Sequence, residues 1–354
     1  MPVTLAQAQI NTQADVNYAV IDNLRRYSWL VDQIVFDDTV TPGTGGATLT
    51  YGYTRLTAAR GAQFREFNSE YTTAQASRQR YTVDLKPLGG AFSVDRVLAN
   101  LGAAQTNEIT FQMQQLLTGV RTRFQDELIN GDTAVDSTGF DGLDKSLTGT
   151  STEYLPLNEG VTTGYLDWTR GTIDTQAEAM SQLDVIDDFL SRIVPSHTGG
   201  GDQGNPGALP PGMKAILGNT KSITRMRALA RWAGIYTQMK DDLGRQIEMY
   251  GPWTLVDLGD NATGTAPIIP TETRDADGAG GGGNITNLTD LYAASFGLDA
   301  LHGASPAGQP LVQTWMPDFT QPGAVKSGEI EMGPVAMVLR NTKACGVLRN
   351  VKVA

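Results

Sequence analysis

Between residues 47 and 88 the chain alternates between apolar and polar side chains with a period of two. The pattern is clearest in the second half of this segment, where Tyr81, Val83 and Leu85 alternate with polar or charged residues. Such alternation is typical of a β-strand with one covered face. The connection, residues 57–78, is polar and far longer than an ordinary hairpin loop. The pattern predicts a long two-stranded arm that contains too little apolar surface to fold alone and needs a partner surface.

A second pattern, with intervals of three and four residues, runs through residues 98–130 and predicts one long helix. Its apolar face is predicted to consist of Ile109, Met113, Leu116, Leu117, Val120, Phe124 and Leu128. The residues expected to form the packed core are Ile109, Met113, Leu116, Val120 and Phe124. No proline occurs between Pro87 and Pro156, and Asn130-Gly131 supplies a stop signal at the C-terminal end. A helix of this length spans roughly 40 Å, so we expect it to act as a structural spine that packs through this face.

Shorter patterns complete a mixed α+β chain. Helical spacing recurs over residues 173–193 and 223–233, whereas apolar runs at Met213–Leu217 and Trp253–Val256 predict buried strands. Residues 329–353 are β-rich. Because 354 residues are more than one compact core usually holds, we expect two or three structural units.

The charge of the chain argues against tight binding of nucleic acid. The formal net charge is −11, and the N-terminal region has no cluster of basic residues. Proteins that wrap nucleic acid gain affinity from clustered lysine and arginine, which release counterions from the phosphates. If DNA lies beside this chain, we expect it to be enclosed and not tightly bound.

The residues that carry most enzyme chemistry are scarce. The chain has one cysteine, Cys345, and two histidines, His197 and His302, so neither a zinc site nor a Ser/His/Asp triad can be assembled. Gly218–Ser222 resembles the end of a phosphate-binding loop, but Thr220 occupies the place where the motif needs glycine, and a capped helix start explains it better. We expect no enzyme activity, no cofactor and no metal, and a buried Cys345. No apolar run is long enough to cross a membrane.

Mixed charges on the extended arm suggest its role. They are Arg55, Arg60, Arg65, Glu66, Glu70, Arg78 and Arg80. As a nucleic-acid patch they are weak, because carboxylates interrupt the arginines. As an assembly interface they make sense, since mixed charges on an outstretched arm pair with a neighbour and set its register. A merely solvated loop is the remaining alternative.

The segment FQDELINGD, from Phe124 to Asp132, is followed by GFDGL, from Gly139 to Leu143. These residues and the order of elements resemble the major capsid proteins of tailed bacteriophages, which have the Hong Kong ninety-seven-type fold. The resemblance implies an N-terminal arm, an extended β-hairpin loop, a peripheral domain with a spine helix at residues 98–130, and an axial domain at the centres of capsomers. The implied boundaries are 1–46 for the arm, 47–88 for the extended loop, 89–164 for the peripheral domain, 165–310 for the axial domain and 311–354 for return strands to the peripheral domain.

The resemblance also implies a function and partners. The chain is expected to assemble with itself, as hexamers and pentamers, into an icosahedral or prolate shell around double-stranded DNA. Its location is expected to be the virion, after assembly in the cytoplasm of the bacterial host. A portal, decoration proteins and a separate scaffolding protein are expected partners, and no membrane. An encapsulin-like nanocompartment, which encloses an enzyme as cargo, shares the fold and stays open as an alternative.

Overall fold

The computed structural model describes Arg26 and residues 29–40, 49–97, 108–193, 213–234, 237–240, 246–276 and 284–354. These residues form five α-helices, two short 3₁₀ helices and sixteen strands in three sheets. The α-helices are α1 (Trp29–Gln33), α2 (Glu108–Asn130), α3 (Leu143–Leu147), α4 (Gln176–Ser191) and α5 (Thr220–Ala233). The strands are β1 (Phe36–Val40), β2 (Thr50–Ala58), β3 (Ser77–Asp84), β4 (Lys86–Asp95), β5 (Glu153–Tyr154), β6 (Leu166–Asp167), β7 (Lys214–Gly218), β8 (Thr237–Lys240), β9 (Gln246–Tyr250), β10 (Trp253–Asp257), β11 (Glu272–Asp275), β12 (Asn284–Ser295), β13 (Leu301–Pro306), β14 (Val312–Trp315), β15 (Val325–Leu339) and β16 (Cys345–Lys352).

The helices and strands expected from the sequence are present where the structure describes them. The long helix α2 begins at Glu108, and residues 98–107 lie outside the described residues. Helix α5 begins after Asn219, whose side chain accepts a hydrogen bond from the Ser222 backbone N–H at 2.8 Å. This confirms that the segment resembling a phosphate-binding loop is a capped helix start. Most of the N-terminal arm lies outside the described residues.

The first sheet has the strand order β1-β13-β15-β14, and β4 pairs with the N-terminal half of β15. Strand β15 is therefore the centre of this sheet. Helix α2 lies against β4 and β15, and the approach is close. A Cβ atom at Gly90 would lie 2.7 Å from Cδ1 of Leu116, so a larger residue at this position would force the Leu116 side chain to shift.

The second sheet has nine strands and separates two hydrophobic clusters. Its main path is β5-β16-β12-β7-β10-β9-β8. In β7, Ala215 and Leu217 face the cluster shared with α2 and the first sheet, whereas Ile216 faces the cluster under α4 and α5. Strands β12 and β16 alternate in the same way because successive side chains of a strand point to opposite faces. Cys345, at the start of β16, is buried as expected, and burial raises the pKa of its thiol to about 12.

A buried charge network ties the second sheet to the helix after α2. The Arg349 guanidinium lies 3.0 Å from Asp290 and 3.0 Å from Glu153, and it also pairs with Asp144 of α3. Arg274 donates to both carboxylate oxygens of Asp290 at 2.8 Å. Burial alone would lower the pKa of Arg349, but the carboxylates of Asp290 and Asp144 outweigh it and raise the pKa. The network fixes β5, β11, β12 and β16 relative to one another.

Strand pairing divides the chain differently from the expected domain boundaries in two places. Strand β13, assigned from the sequence to the axial domain (165–310), pairs with β1 and β15 in the first sheet. Strand β16, assigned to the strands that return to the peripheral domain (311–354), lies in the second sheet between β5 and β12. Both strands are buried along most of their length, and such apolar runs fit the middle of either sheet. The domain boundaries themselves stay a prediction.

Candidate assembly interface

The third sheet is the predicted hairpin, formed by β2 and β3 alone. Its register pairs Thr50 with Asp84 and Tyr53 with Tyr81. The Tyr53 and Tyr81 rings stack with their centroids 5.7 Å apart, and Tyr51 donates a hydrogen bond to Asp37 of β1 at 2.8 Å. Cross-strand aromatic pairs stabilise an isolated ribbon, so the base of the hairpin is both ordered and attached to the body.

Arg55 attaches the hairpin base a second time. Its guanidinium lies 4.4 Å from the centre of the Tyr81 ring and donates from Nε to the Arg340 carbonyl oxygen at 2.9 Å. It also donates to the carbonyl oxygen of Leu339. Hydrogen bonds from a charged donor are stronger than neutral ones. The direction of the hairpin is therefore set where β15 ends.

Beyond this base, the hairpin tip, which we define as residues 56–80, is exposed at every position. Two aromatic side chains are almost wholly in solvent: Phe64 is 105% exposed and Phe67 is 98% exposed. A short turn presents them, in which Arg65 donates to the carbonyl oxygens of Glu66 and Ser69 at 3.2 and 3.1 Å. Sequence reasoning missed both phenylalanines. Their signal was the presence of two large apolar residues in an otherwise polar loop.

The charged residues expected at the interface fall into two groups. The exposed group consists of Arg60, Arg65, Glu66, Glu70, Arg78 and Arg80, all within the hairpin tip. Arg55 is half-buried and bound to carbonyl groups of its own chain. The structure therefore brings six of the seven together on one outstretched segment and places the seventh at its base.

A second exposed surface lies on the first sheet, on the side opposite α2. In β15, Ile330 and Met332 point into the core, so Glu329 and Glu331 point outward. Trp315 of β14 is paired with Glu329 and is 46% exposed. No described side chain forms an ion pair with either carboxylate. We call this surface, formed by Trp315, Val325, Glu329 and Glu331, the outer face.

The apolar face of the spine helix is buried toward its C-terminal end. Val120 and Phe124 are buried, and the Phe124 ring packs against Phe36 and Phe140 with centroids 5.8 and 5.7 Å apart. The other three expected core residues, Ile109, Met113 and Leu116, are half-buried, and the last two pack against the same cluster.

The glycines after this helix explain the FQDELINGD and GFDGL segments physically. The Gly142 N–H donates to the Gly131 carbonyl oxygen at 2.7 Å, which folds the loop back onto the helix end. A Cβ atom at Gly142 would lie 2.6 Å from the Ile129 carbonyl oxygen, so no larger residue fits there. Lys145 closes the loop by contacting Asp132 at 2.5 Å and Asp141 at 2.9 Å.

His302 lies in the core directly beneath the hairpin base. It is fully buried, and its ring meets that of Tyr51 edge-on, with centroids 5.6 Å apart. Neither ring nitrogen has a hydrogen-bond partner among the described residues. Burial lowers the pKa of His302 to about 4, with nearby Asp37 opposing the shift and Arg340 adding to it.

Across the described residues, no group of three or more His, Cys, Asp or Glu side chains is arranged to hold a metal ion. Nor does any helix in that part of the chain have the length and apolar character needed to cross a membrane.

The spine helix on a β-sheet, the extended hairpin and the nine-stranded second sheet together define the Hong Kong ninety-seven-type capsid fold. The chain is similar over its whole length to the holo-SrpI encapsulin complex from Synechococcus elongatus, with a TM-score of 0.60, 12% identity and coverage of 100% of this chain and 98% of that one. It is similar to the capsid of a native GTA particle, with a TM-score of 0.57, 12% identity and coverage of 98% and 97%. The Gordonia phage Cozz structure matches with a TM-score of 0.55, 9% identity and coverage of 99% and 94%. No protein-family model and no curated protein matches the sequence.

Proposed function

We propose that this protein is a structural subunit that assembles with copies of itself into a closed shell. One observation carries the proposal: a 25-residue hairpin tip, exposed at every position, projects from a subunit whose full length matches shell-forming proteins. A two-stranded ribbon that exposes two phenylalanines to solvent obtains no stabilisation from burial of those side chains. Docked on neighbours, the same surface stabilises an assembly. The role needs no catalysis and no cofactor.

The finer proposal is that the shell is the capsid of a tailed bacteriophage and that this chain is its major capsid protein. The GFDGL segment resembles those capsid proteins, and several solved neighbours are phage capsids. Hexamers and pentamers of the chain then enclose double-stranded DNA, with a portal, a scaffolding protein and decoration proteins as partners. The charge of −11 supports a container that holds DNA without adhering to it.

We propose further that the hairpin tip of one subunit docks on the outer face of the next. The tip carries four arginines and two glutamates, whereas the outer face presents Glu329 and Glu331 beside Trp315, and neither carboxylate forms an ion pair with a side chain that the structure describes. Two different surfaces that complement each other form a head-to-tail contact, which closes rings and shells. Ion pairs at the solvent-exposed rim of an interface contribute little stability. Apolar side chains on both partners supply the buried area that stabilises the contact.

A charge exchange tests this contact. Arg78→Glu alone and Glu329→Arg alone are each expected to reduce the yield of shells, because like charges then face each other. The double variant is expected to recover assembly, and Lys343→Glu serves as a control for a change of net charge alone. Loss of shells in the single variants without recovery in the double variant would refute the pairing while leaving the shell function intact.

Electron microscopy of particles purified after expression of the full chain tests the function itself. DNA-filled shells from an infected or induced host support the phage capsid. Failure to form any shell, with or without a co-expressed scaffolding protein, would contradict the structural role.

An encapsulin-like nanocompartment is the second candidate. It is favoured by the match to the SrpI encapsulin complex, which has the highest TM-score among the solved structures compared above. Small shells that contain a co-purified enzyme and no DNA support this candidate over the phage capsid.

A further inference from the structure

A small cleft lies between α5 and the turn that precedes α4, beside the hydrophobic cluster under these two helices. Its volume is 210 Å³. The floor is apolar, formed by the buried side chains of Trp168, Ile173 and Leu229. Trp232 stands beside it and is 51% exposed, which is unusual for the largest apolar side chain. The cleft has no part in the hairpin contact proposed above.

Three arginines surround this floor. Arg170 and Arg231 are exposed, and no described carboxylate forms an ion pair with either. Arg225 is half-buried and donates from Nε to the carbonyl oxygen of Val353 at 3.1 Å. The chain as a whole has a net charge of −11, so three guanidinium groups around one apolar cleft form a local excess of positive charge. Arg227, elsewhere on the same helix, forms an ion pair with Glu248 at 2.7 Å.

We propose that this cleft binds an acidic peptide segment of a partner protein through one apolar side chain flanked by carboxylates. Pockets for small molecules usually measure about 300–1,000 Å³, so this one suits a single side chain better than a cofactor. An apolar centre with an arginine rim is the arrangement found at energetic hot spots of protein interfaces, where tryptophan and arginine are enriched.

The charge distribution favours a peptide over a nucleic acid. A strand of DNA or RNA carries one charge per nucleotide and extends well beyond the cleft, so the remaining surface of this acidic chain repels it. A peptide of a few residues places its carboxylates only where the guanidinium groups lie. Arginine also pairs with a carboxylate through two parallel hydrogen bonds, which adds geometric selectivity.

Fluorescence anisotropy with labelled probes tests the proposal on the purified full chain. The probes are a short peptide of aspartate and glutamate around one leucine, the same peptide with serine in place of leucine, and an oligothymidylate. The acidic leucine peptide is expected to bind. Arg170→Ala, Arg231→Ala and Trp232→Ala are each expected to weaken binding about tenfold, since a charge-assisted hydrogen bond or a buried aromatic contact contributes on that scale.

The control is Arg227→Gln, which removes a charge from the same helix outside the cleft and is expected to leave binding unchanged. Melting temperatures verify that the variants fold, as expected for exposed positions. Three results would each overturn the proposal: no binding of the acidic leucine peptide, equal loss of binding in Arg227→Gln, or tighter binding of the oligothymidylate. Equal binding of the serine peptide would also contradict it, because the apolar floor would then play no part.

Discussion

The second sheet and the hairpin place their aromatic and apolar residues in opposite ways. In the second sheet, strands β7, β12 and β16 bury both faces, and even a charged residue such as Asp290 is enclosed by two arginines. In the hairpin tip every residue is exposed, including Phe64 and Phe67. The second sheet therefore buries its apolar side chains within the subunit, whereas the hairpin tip leaves its apolar side chains in solvent.

The difference separates folding from assembly. The free energy of unfolding of the subunit comes from the two hydrophobic clusters, because burial of apolar area is the dominant stabilising term. The hairpin tip contributes almost none of it. Changes in the body are expected to alter stability, whereas changes in the tip are expected to alter only the assembly of the proposed shell. The four predictions below are ordered by their expected effect on stability.

The largest effect is expected for Phe124→Ala in α2. The ring is fully buried between Phe36 and Phe140, so its removal leaves a cavity and is expected to cost roughly 3–5 kcal/mol of unfolding free energy. Chemical denaturation of the soluble subunit measures it. Leu117→Ala, on the exposed side of the same helix, is the matched control and is expected to cost less than about 1 kcal/mol. Equal costs in the two variants would show that the helix does not pack through the expected face.

The next effect is a loss of stability in acid, caused by His302. Its pKa is about 4 in the folded chain and 6.5 in the unfolded chain, so the unfolded chain binds the proton first as the pH falls. Stability is expected to decrease between pH 6.5 and pH 4 by about 3 kcal/mol from this group, and to change no further from it below pH 4. Denaturation midpoints across this range measure the slope. His302→Phe keeps the ring against Tyr51 but cannot titrate, so an unchanged slope in this variant would exclude His302 as its cause.

A smaller effect is expected for Arg55→Ala. The variant loses hydrogen bonds to the carbonyl groups of Leu339 and Arg340 and the contact with Tyr81, in a half-exposed position, for an expected cost of about 1–2 kcal/mol. Arg60→Ala, in the exposed tip, is the control and is expected to stay within about 0.5 kcal/mol of the parent chain. If both variants melt alike, Arg55 does not hold the hairpin base.

The smallest effect on stability is expected for deletion of residues 58–77. The unfolding free energy is expected to change by less than about 1 kcal/mol, because the deleted residues bury nothing in the subunit. Assembly is expected to be lost or misdirected. Denaturation and electron microscopy of the same preparation provide both readouts, and normal shells from the deleted chain would show that the hairpin tip is not an assembly element.

The sequence predicted those elements whose pattern is local. Helix α2, the hairpin strands and the capped start of α5 each have a short periodic or capping signal, and the structure confirms them. Strand β4 was missed because Gly89 and Gly90 are unfavourable in a strand by themselves. Gly90 lies against Leu116 of α2, and a Cβ atom at Gly89 would lie 2.5 Å from the Ile330 carbonyl oxygen of β15, so both glycines reflect tertiary contacts.

The candidate interface was predictable only in part. The charged residues of the tip were identifiable because charges of both signs lie within one polar loop. The attachment of Arg55 to β15 was not, since its carbonyl partners lie 284 and 285 residues away along the chain. The outer face depends on which side of β15 is covered by α2, and no short window of sequence contains that information.

The buried position of Cys345 gives the chain a practical property. Its thiol is enclosed and its pKa is raised to about 12, so at neutral pH it is neither accessible nor ionised, and maleimide reagents require both. It is also the only cysteine in the sequence. A cysteine introduced in place of Ser69 would therefore be the single reactive thiol of the folded protein, and a dye or spin label attached there would report on one known position of the hairpin without mutation of the native residue.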